Sequence, residues 1–280
     1  MKKQTTILIL SVLVSVSFFS CKQKKIKTDE QDFAKKYYLT SDTSKGALKV
    51  EMQIELPTKF YKESIMDSIR KSIITNLFGE KYYAYSNDSV VEKFAKDLAT
   101  EYRLNNASID DFLDSVRTYS FNNEQNLSGY SLLSDNNIYV YGIDRYIFMG
   151  GAHGYETRNY YNFDLKTGKQ ISESDLFVQG YKNQLTKLIQ NRIVEESNDM
   201  NESQGVSDIL NLEDTDFWID SIKPNGNFYI TDVSINYVFN PYEIAPFYVG
   251  QTEVTIPFER LKNILKTENI ITYLIDNQSK

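Results

Sequence analysis

Between Leu48 and Leu77 the apolar residues change period, and that change limits the fold more than any other feature of the chain. From Leu48 to Leu56 the period is two. Leu48, Val50, Met52, Ile54 and Leu56 alternate with Lys49, Glu51, Gln53 and Glu55. Successive side chains of a strand point to opposite faces, so this segment is a strand with one apolar face. Pro57 is expected to end it. From Tyr61 the period becomes four: Tyr61, Ile65, Ile69, Ile73 and Leu77 fall on one stripe of a helix that stops at Gly79. A one-faced strand followed by a one-faced helix calls for a layered core.

The pattern continues in blocks. A second helix starts near Asp88, with Val90, Val91, Phe94, Leu98 and Tyr102 inward. A third carries Ile109, Phe112, Leu113 and Val116 behind a Ser108 cap. Leu127–Leu133 and Ile138–Phe148 are strands around an Asp135-Asn136-Asn137 turn. Tyr155–Leu165 is extended and ends at Lys166-Thr167-Gly168-Lys169. Ser172–Phe177 is one helical turn, and Tyr181, Leu185, Leu188, Ile189 and Ile193 mark a further helix. Asn198–Ser207 reads as a polar loop. Phe217–Ile222, Asn227–Thr231, Ser234–Phe239 and Thr252–Ile256 read as strands. Pro224-Asn225-Gly226 turns between the first two. Pro257–Lys266 is the last helix. There is no strict βαβ alternation, so the expectation is α+β: antiparallel sheets packed against helices in two small adjoining α/β subdomains, 45–170 and 171–268, with 269–280 a tail.

Residues 1–20 have the build of an export leader. Lys2 and Lys3 precede an apolar core from Ile7 to Phe19, and Ser20 stands before Cys21, the one cysteine. Phe18-Phe19-Ser20-Cys21 resembles a lipoprotein cleavage box, with Phe18 where Leu is usual. Cys21 is therefore the expected lipidation site and the membrane anchor. Without the leader, 29 Lys and Arg face 38 Asp and Glu, a net charge of −9. That excess disfavours nucleic acid and suits a basic partner. Residues 21–44 read as a tether. Its Lys22, Lys24, Lys25 and Lys27 either rest on anionic lipid or form a solvated linker. Surface-exported lipoproteins of the Bacteroidetes type carry acidic residues after the cysteine. The lysines here favour a lipid-anchored, periplasm-facing protein.

Several motifs occur together in order. Gly150-Gly151-Ala152-His153-Gly154 is followed by YYNFDLKTGK at 160–169 and SDLF at 174–177. NPYEIAPFYVG follows at 240–250 and EVTIPFERLK at 253–262. Together they resemble the paired domains of unknown function in RsiV-like anti-sigma factor ectodomains and beside the catalytic domain of PdaC-like peptidoglycan deacetylases, in a free-standing lipoprotein version. The resemblance covers roughly Ala47 to Leu265 and departs from the usual pattern at Asp232-Val233-Ser234, where a Gly turn is normal. Six residues before Ile7 leave no room for a sigma-binding domain, and one histidine cannot supply a deacetylase metal site. The resemblance thus implies a sensing or binding part without its usual output; in the RsiV-like case that part recognises lysozyme.

The candidate residues sit in two loops. Pro241 and Pro246 fix φ near ~−65° and stiffen an extended loop that presents Tyr242, Glu243, Phe247 and Tyr248 before Gly250. The loop reads either as a packed crossover, with Tyr242 or Ile244 buried, or as a partner contact. His153, flanked by glycines, either bonds a backbone carbonyl or contacts a ligand. Neither a Cys nucleophile nor a Gly-x-Ser-x-Gly elbow accompanies it. Trp218 is expected in the core. The expectation is a binding protein, not an enzyme, with no metal and no cofactor. Its partner is a basic lysozyme-type protein, with peptidoglycan or another cell-wall glycan as the alternative and a hydrolase of cell-wall material third.

Overall fold

The structure, a computed structural model, describes residues 25–106, 121–135, 137–203 and 211–278. The leader, Cys21, the helix expected at Ile109–Val116 and Asn136 of the hairpin turn lie outside the described residues. Among the described residues no helix is long and apolar enough to cross a membrane.

The alternating segment is β2 (Ala47–Lys59). Its five inward residues, Leu48, Val50, Met52, Ile54 and Leu56, are all buried. Pro57 does not end it. The strand runs on to Lys59, and the register with its neighbour shifts beside Thr28↔Pro57, an edge irregularity of the kind at which a strand tolerates proline. The fourth-residue stripe is α1 (Glu63–Phe78), which buries Ile65, Ile69, Ile73 and Leu77 over that face and stops at Gly79. Each such aliphatic side chain contributes about 1.5–3 kcal/mol of burial. Tyr61 lies before the helix and is exposed. α2 (Asn87–Asn105) adds Val90, Val91, Phe94 and Tyr102 to the same core.

The expected tether is corrected at its centre. Lys27–Tyr38 forms β1, an edge strand paired along its length with β2. It carries few apolar residues, but Tyr37 is buried and Phe33 packs against the core. β3 (Asn123–Ser134), β4 (Ile138–Phe148) and β5 (Tyr155–Asp164) complete a sheet of order β1-β2-β3-β4-β5. The sheet is mixed rather than wholly antiparallel, because β2 and β3 run parallel. The long crossover through α1 and α2 permits this.

The second part starts at α3 (Glu173–Leu176), where Ser172 and Asp175 form a capping box. α4 (Lys182–Ser203) extends six residues into the expected polar loop, since Ser203 is its last residue. It covers the antiparallel sheet β6 (Phe228–Ile230), β7 (Ser234–Phe239) and β8 (Thr252–Pro257). The β6–β7 turn closes without Gly: Thr231 Oγ1 accepts from the backbone N–H of Val233 and Ser234.

Four expectations fail here. Phe217–Ile222 is not a strand; it holds a 3₁₀ turn at Ile219–Ser221, and Trp218 is 43% exposed rather than core. The last helix is only α5 (Phe258–Leu261), because residues 264–266 turn back to bond Leu176 and Val178. The tail holds α6 (Thr272–Gln278), whose Leu274 is buried with Ile271 in the second core. Tyr273 of α6 donates its hydroxyl to Asp135 at the β3–β4 turn.

The two cores meet across β4. Tyr139, Tyr141 and Ile143 face α1 and α2, while Ile138 and Val140 face the second core. Residues 169–171 pair with the end of the free edge of β5 at Asn162–Asp164, and asparagines seal the rest of it. Asn227 donates to Arg158 O (2.8 Å) and accepts from Tyr160 N (2.9 Å). Asn240 accepts from Arg158 N (2.7 Å). Asn162 reaches back to donate to Phe228 O (2.7 Å) and accept from Ile230 N (3.0 Å).

Candidate functional site

The β7–β8 loop is not extended. Asn240-Pro241-Tyr242-Glu243 closes a tight turn through Glu243 N–H to Asn240 O (3.0 Å). Pro241 supplies the fixed φ of the first central position, and Tyr242 takes φ 69° at the second, where Gly is usual. The chain then dips inward. Ile244 and Ala245 are buried, and Ile244 O accepts from Trp218 N (2.7 Å). Pro246 is half-buried and leads into a 3₁₀ turn at Phe247–Val249, with Val249 N–H bonding Pro246 O (3.1 Å). The loop is therefore core in its middle and surface at both ends: Tyr242 is 53% exposed and Tyr248 71%.

The β4–β5 loop arrives beside it. Gly150 and Gly151 take positive φ, and the Tyr146 ring lies over Gly154 so closely that a Cβ there would sit 2.4 Å from it. His153 is exposed, with Nδ1 2.9 Å from Gly154 O. Its ring stacks on Phe247 at 4.0 Å between centroids, and Phe247 in turn lies 5.5 Å from Tyr242. Three of the sequence-derived candidates thus form one ring cluster from two distant loops. Two others point elsewhere. Glu243 accepts from Asn225 Nδ2 (2.8 Å), which ties it to the Pro224-Asn225-Gly226 turn. Tyr248 turns toward Asp216, whose carboxylate holds the phenol above its ordinary pKa. Asn240 locks the loop to the sheet, since its Oδ1 accepts from both Arg158 N and Gln251 Nε2.

Sequence reasoning missed two further features. One is the Tyr130–Asp144–Arg158 network: Asp144 Oδ1 accepts from Tyr130 Oη and Arg158 Nε, both at 3.0 Å. The other is a groove along the outward face of the five-stranded sheet, in adjoining hollows of about 600, 490 and 350 Å³. Glu51, Gln53, Asn126, Ser128 and Tyr130 line it, with Lys49 held between Glu51 and Glu124. In sequence these residues are only the polar half of an alternation, indistinguishable from a solvated face.

Chemically the ring cluster offers flat apolar and aromatic contact. The His153 ring bonds its neighbour's carbonyl and leans on a phenyl ring, which together fix its orientation. Fold and site together define an α+β protein with a mixed five-stranded sheet, a three-stranded antiparallel sheet and a ring ridge where loops of the two sheets meet. Residues 174–259, from α3 into α5, match the family model described as "Protein of unknown function (DUF3298)". The chain is similar to the crystal structure of a DUF3298 family member from Bacteroides fragilis NCTC 9343: 25% identity, TM-score 0.79, covering 92% of this chain and 100% of that one. A DUF3298 family protein from Pseudomonas aeruginosa PAO1 shares the fold at 18% identity and TM-score 0.54, covering 86% of this chain and 95% of that one. No curated protein matches the chain.

Proposed function

We propose that this chain is a non-enzymatic, lipid-anchored protein of the cell envelope whose ring ridge binds a basic protein of the lysozyme type. The ridge is His153, Tyr242 and Phe247. The observation that carries the reading is the His153–Phe247–Tyr242 contact. Two loops fastened to strands present a pre-ordered aromatic surface, so little ordering cost opposes binding. Aromatic anchors with a charged surround suit a protein interface. The net charge of −9 outside the leader favours a basic partner and predicts salt-sensitive association. The resemblance to RsiV-like ectodomains spans both loops.

Calorimetry of the mature chain against basic lysozymes, at low and moderate salt, tests the reading. Binding that weakens with salt, and by at least ~2 kcal/mol in Phe247→Ala at unchanged melting temperature, is expected. No binding to any lysozyme overturns it. The groove on the sheet face favours a second reading, a cell-wall glycan lying over Gln53, Asn126, Ser128 and Tyr130. Titration with soluble peptidoglycan fragments separates the two, because glycan binding would depend little on salt and would ignore Phe247→Ala. The anchor is tested apart: Cys21→Ala should move the protein out of the membrane fraction.

A further inference from the structure

Beyond Tyr248 the same loop enters a second concavity. α4, residues 214–217 and the start of β8 enclose a hollow of about 510 Å³. Ile193, Phe217 and Val249 give it apolar walls, and Glu196, Asp214, Asp216 and Glu253 give it an acidic rim; neither Lys nor Arg lines it. Two are already committed: Glu196 Oε1 lies 2.8 Å from Arg192 Nη2, and Asp214 Oδ2 accepts from Asn211 N (3.0 Å) to cap its own turn. The other two are not. Glu253 accepts the Tyr229 hydroxyl (2.5 Å), and Asp216 faces the Tyr248 phenol, whose pKa it raises; both neighbours are neutral. Neither carboxylate has a cationic partner among the described residues. Nor do three His, Cys, Asp or Glu side chains gather among them as metal ligands would, so the hollow suits an organic cation better than a metal ion.

We propose that this hollow receives the side chain of an Arg or Lys from a protein partner. An aliphatic stem would lie along Ile193, Phe217 and Val249 while the charged head met Asp216 and Glu253. Arginine fits best, because its planar fork can bond two carboxylates at once. The site deepens the proposed function and rests on it for its protein source. Val249 shares a turn with Phe247 and Tyr248, so a basic protein seated on the ridge would bring its own cations to this rim.

The test uses the mature chain and two small probes, N-acetyl-arginine amide and the uncharged N-acetyl-norleucine amide, followed by methyl resonances of Ile193 and Val249. The arginine probe should shift these signals at millimolar concentration and the norleucine probe should not. Asp216→Asn, an exposed position, should remove the shifts without changing the melting temperature. The same substitution should weaken lysozyme-type binding about tenfold, equivalent to ~1.4 kcal/mol. Phe247→Ala should leave the arginine shifts in place. Absence of arginine-specific shifts overturns the pocket whatever the lysozyme result. Arginine shifts without any lysozyme binding would keep the pocket and sink the partner. Lysozyme binding indifferent to Asp216→Asn would show that the partner places no cation here.

Discussion

Tyr242 stands in a left-handed backbone conformation, φ 69°, that L-residues enter at a cost of roughly 1–2 kcal/mol. Its side chain is half exposed and touches Phe247, so burial does not repay that strain. Tyr242→Gly should therefore relieve more than the ~0.5–1 kcal/mol that glycine loses in chain entropy, and thermal melting should show unchanged or higher stability. The same variant should bind the partner more weakly, which separates a contact role from a packing role. Tyr242→Ala keeps the strain and should move stability by only about 0.5 kcal/mol. Ile244→Ala, two residues on, should cost about 2–5 kcal/mol because that side chain is buried. A Tyr242→Ala loss as large as that of Ile244→Ala would mean the ring is core. Both loops are conspicuous in sequence through Pro241, Pro246 and the Gly150–Gly154 run. Their meeting is not, because a stack between His153 and Phe247 depends on two remote backbones and no local pattern encodes it. The positive φ of Tyr242 was hidden for the opposite reason: Pro241 announces a turn, but the residue that follows is not the glycine that would name its type.

At the level of elements, the side chains that finish a sheet matter as much as the strands. Asn227 takes the place of a strand beside β5, with one amide bonding Arg158 O, Val238 O and Tyr160 N. Asn227→Ala would leave at least two backbone groups unpaired at about 1–3 kcal/mol each. The expected loss is about 2–4 kcal/mol, read as a lower urea midpoint at unchanged slope. α2 carries a pH-dependent contribution. The Lys93 hydrogen bond (2.5 Å), opposed by partial burial and aided by Tyr82 Oη (2.9 Å), holds the Asp97 carboxyl below its ordinary value. A depressed folded pKa stabilises above the unfolded carboxylate value of about 3.9, and that stabilisation fades as pH falls through the folded value. Asp97→Asn should flatten part of the stability loss below about pH 4 in acid titration. Elements with their own periodicity were legible: β2, α1 and α2 occupy the segments their apolar spacing marks. β1 was not, because its polar edge has few inward apolar residues and its partner β2 supplies the reason to be a strand. Phe217–Ile222 misled in reverse, since its backbone is bonded singly, Trp218 N–H to Ile244 O and Ile219 O to Gln190, without a neighbouring ladder.

Over the whole molecule, β4 is the element both cores use. Its sequence, Ile138-Tyr139-Val140-Tyr141-Gly142-Ile143, is apolar on both faces, the mark of a strand covered on each side. The sequence reading placed a boundary at 170/171 after the Lys166–Lys169 turn, because a pattern reports the faces of one element and not which neighbour covers them. The second core extends across that boundary to Ile138 and Val140, and α6 returns through Tyr273 to Asp135. The asparagine seam adds backbone hydrogen bonds between the two parts. Unfolding should then be one event, with Trp218 fluorescence and far-ultraviolet dichroism changing together in urea. The sharper consequence concerns a fragment. Residues 171–278 alone keep α4 and β6–β8 but lose Ile138 and Val140, and they leave Asn227 and Asn240 with no β5 edge to bond. That fragment should bind a hydrophobic dye, show a poorly dispersed amide spectrum and melt without a cooperative transition. Adding residues 25–170 as a separate chain should restore dispersion, because the missing surface is supplied in trans. A sharp, dye-free melt of 171–278 by itself would show that the second core closes without β4, and the single-event expectation would fall with it.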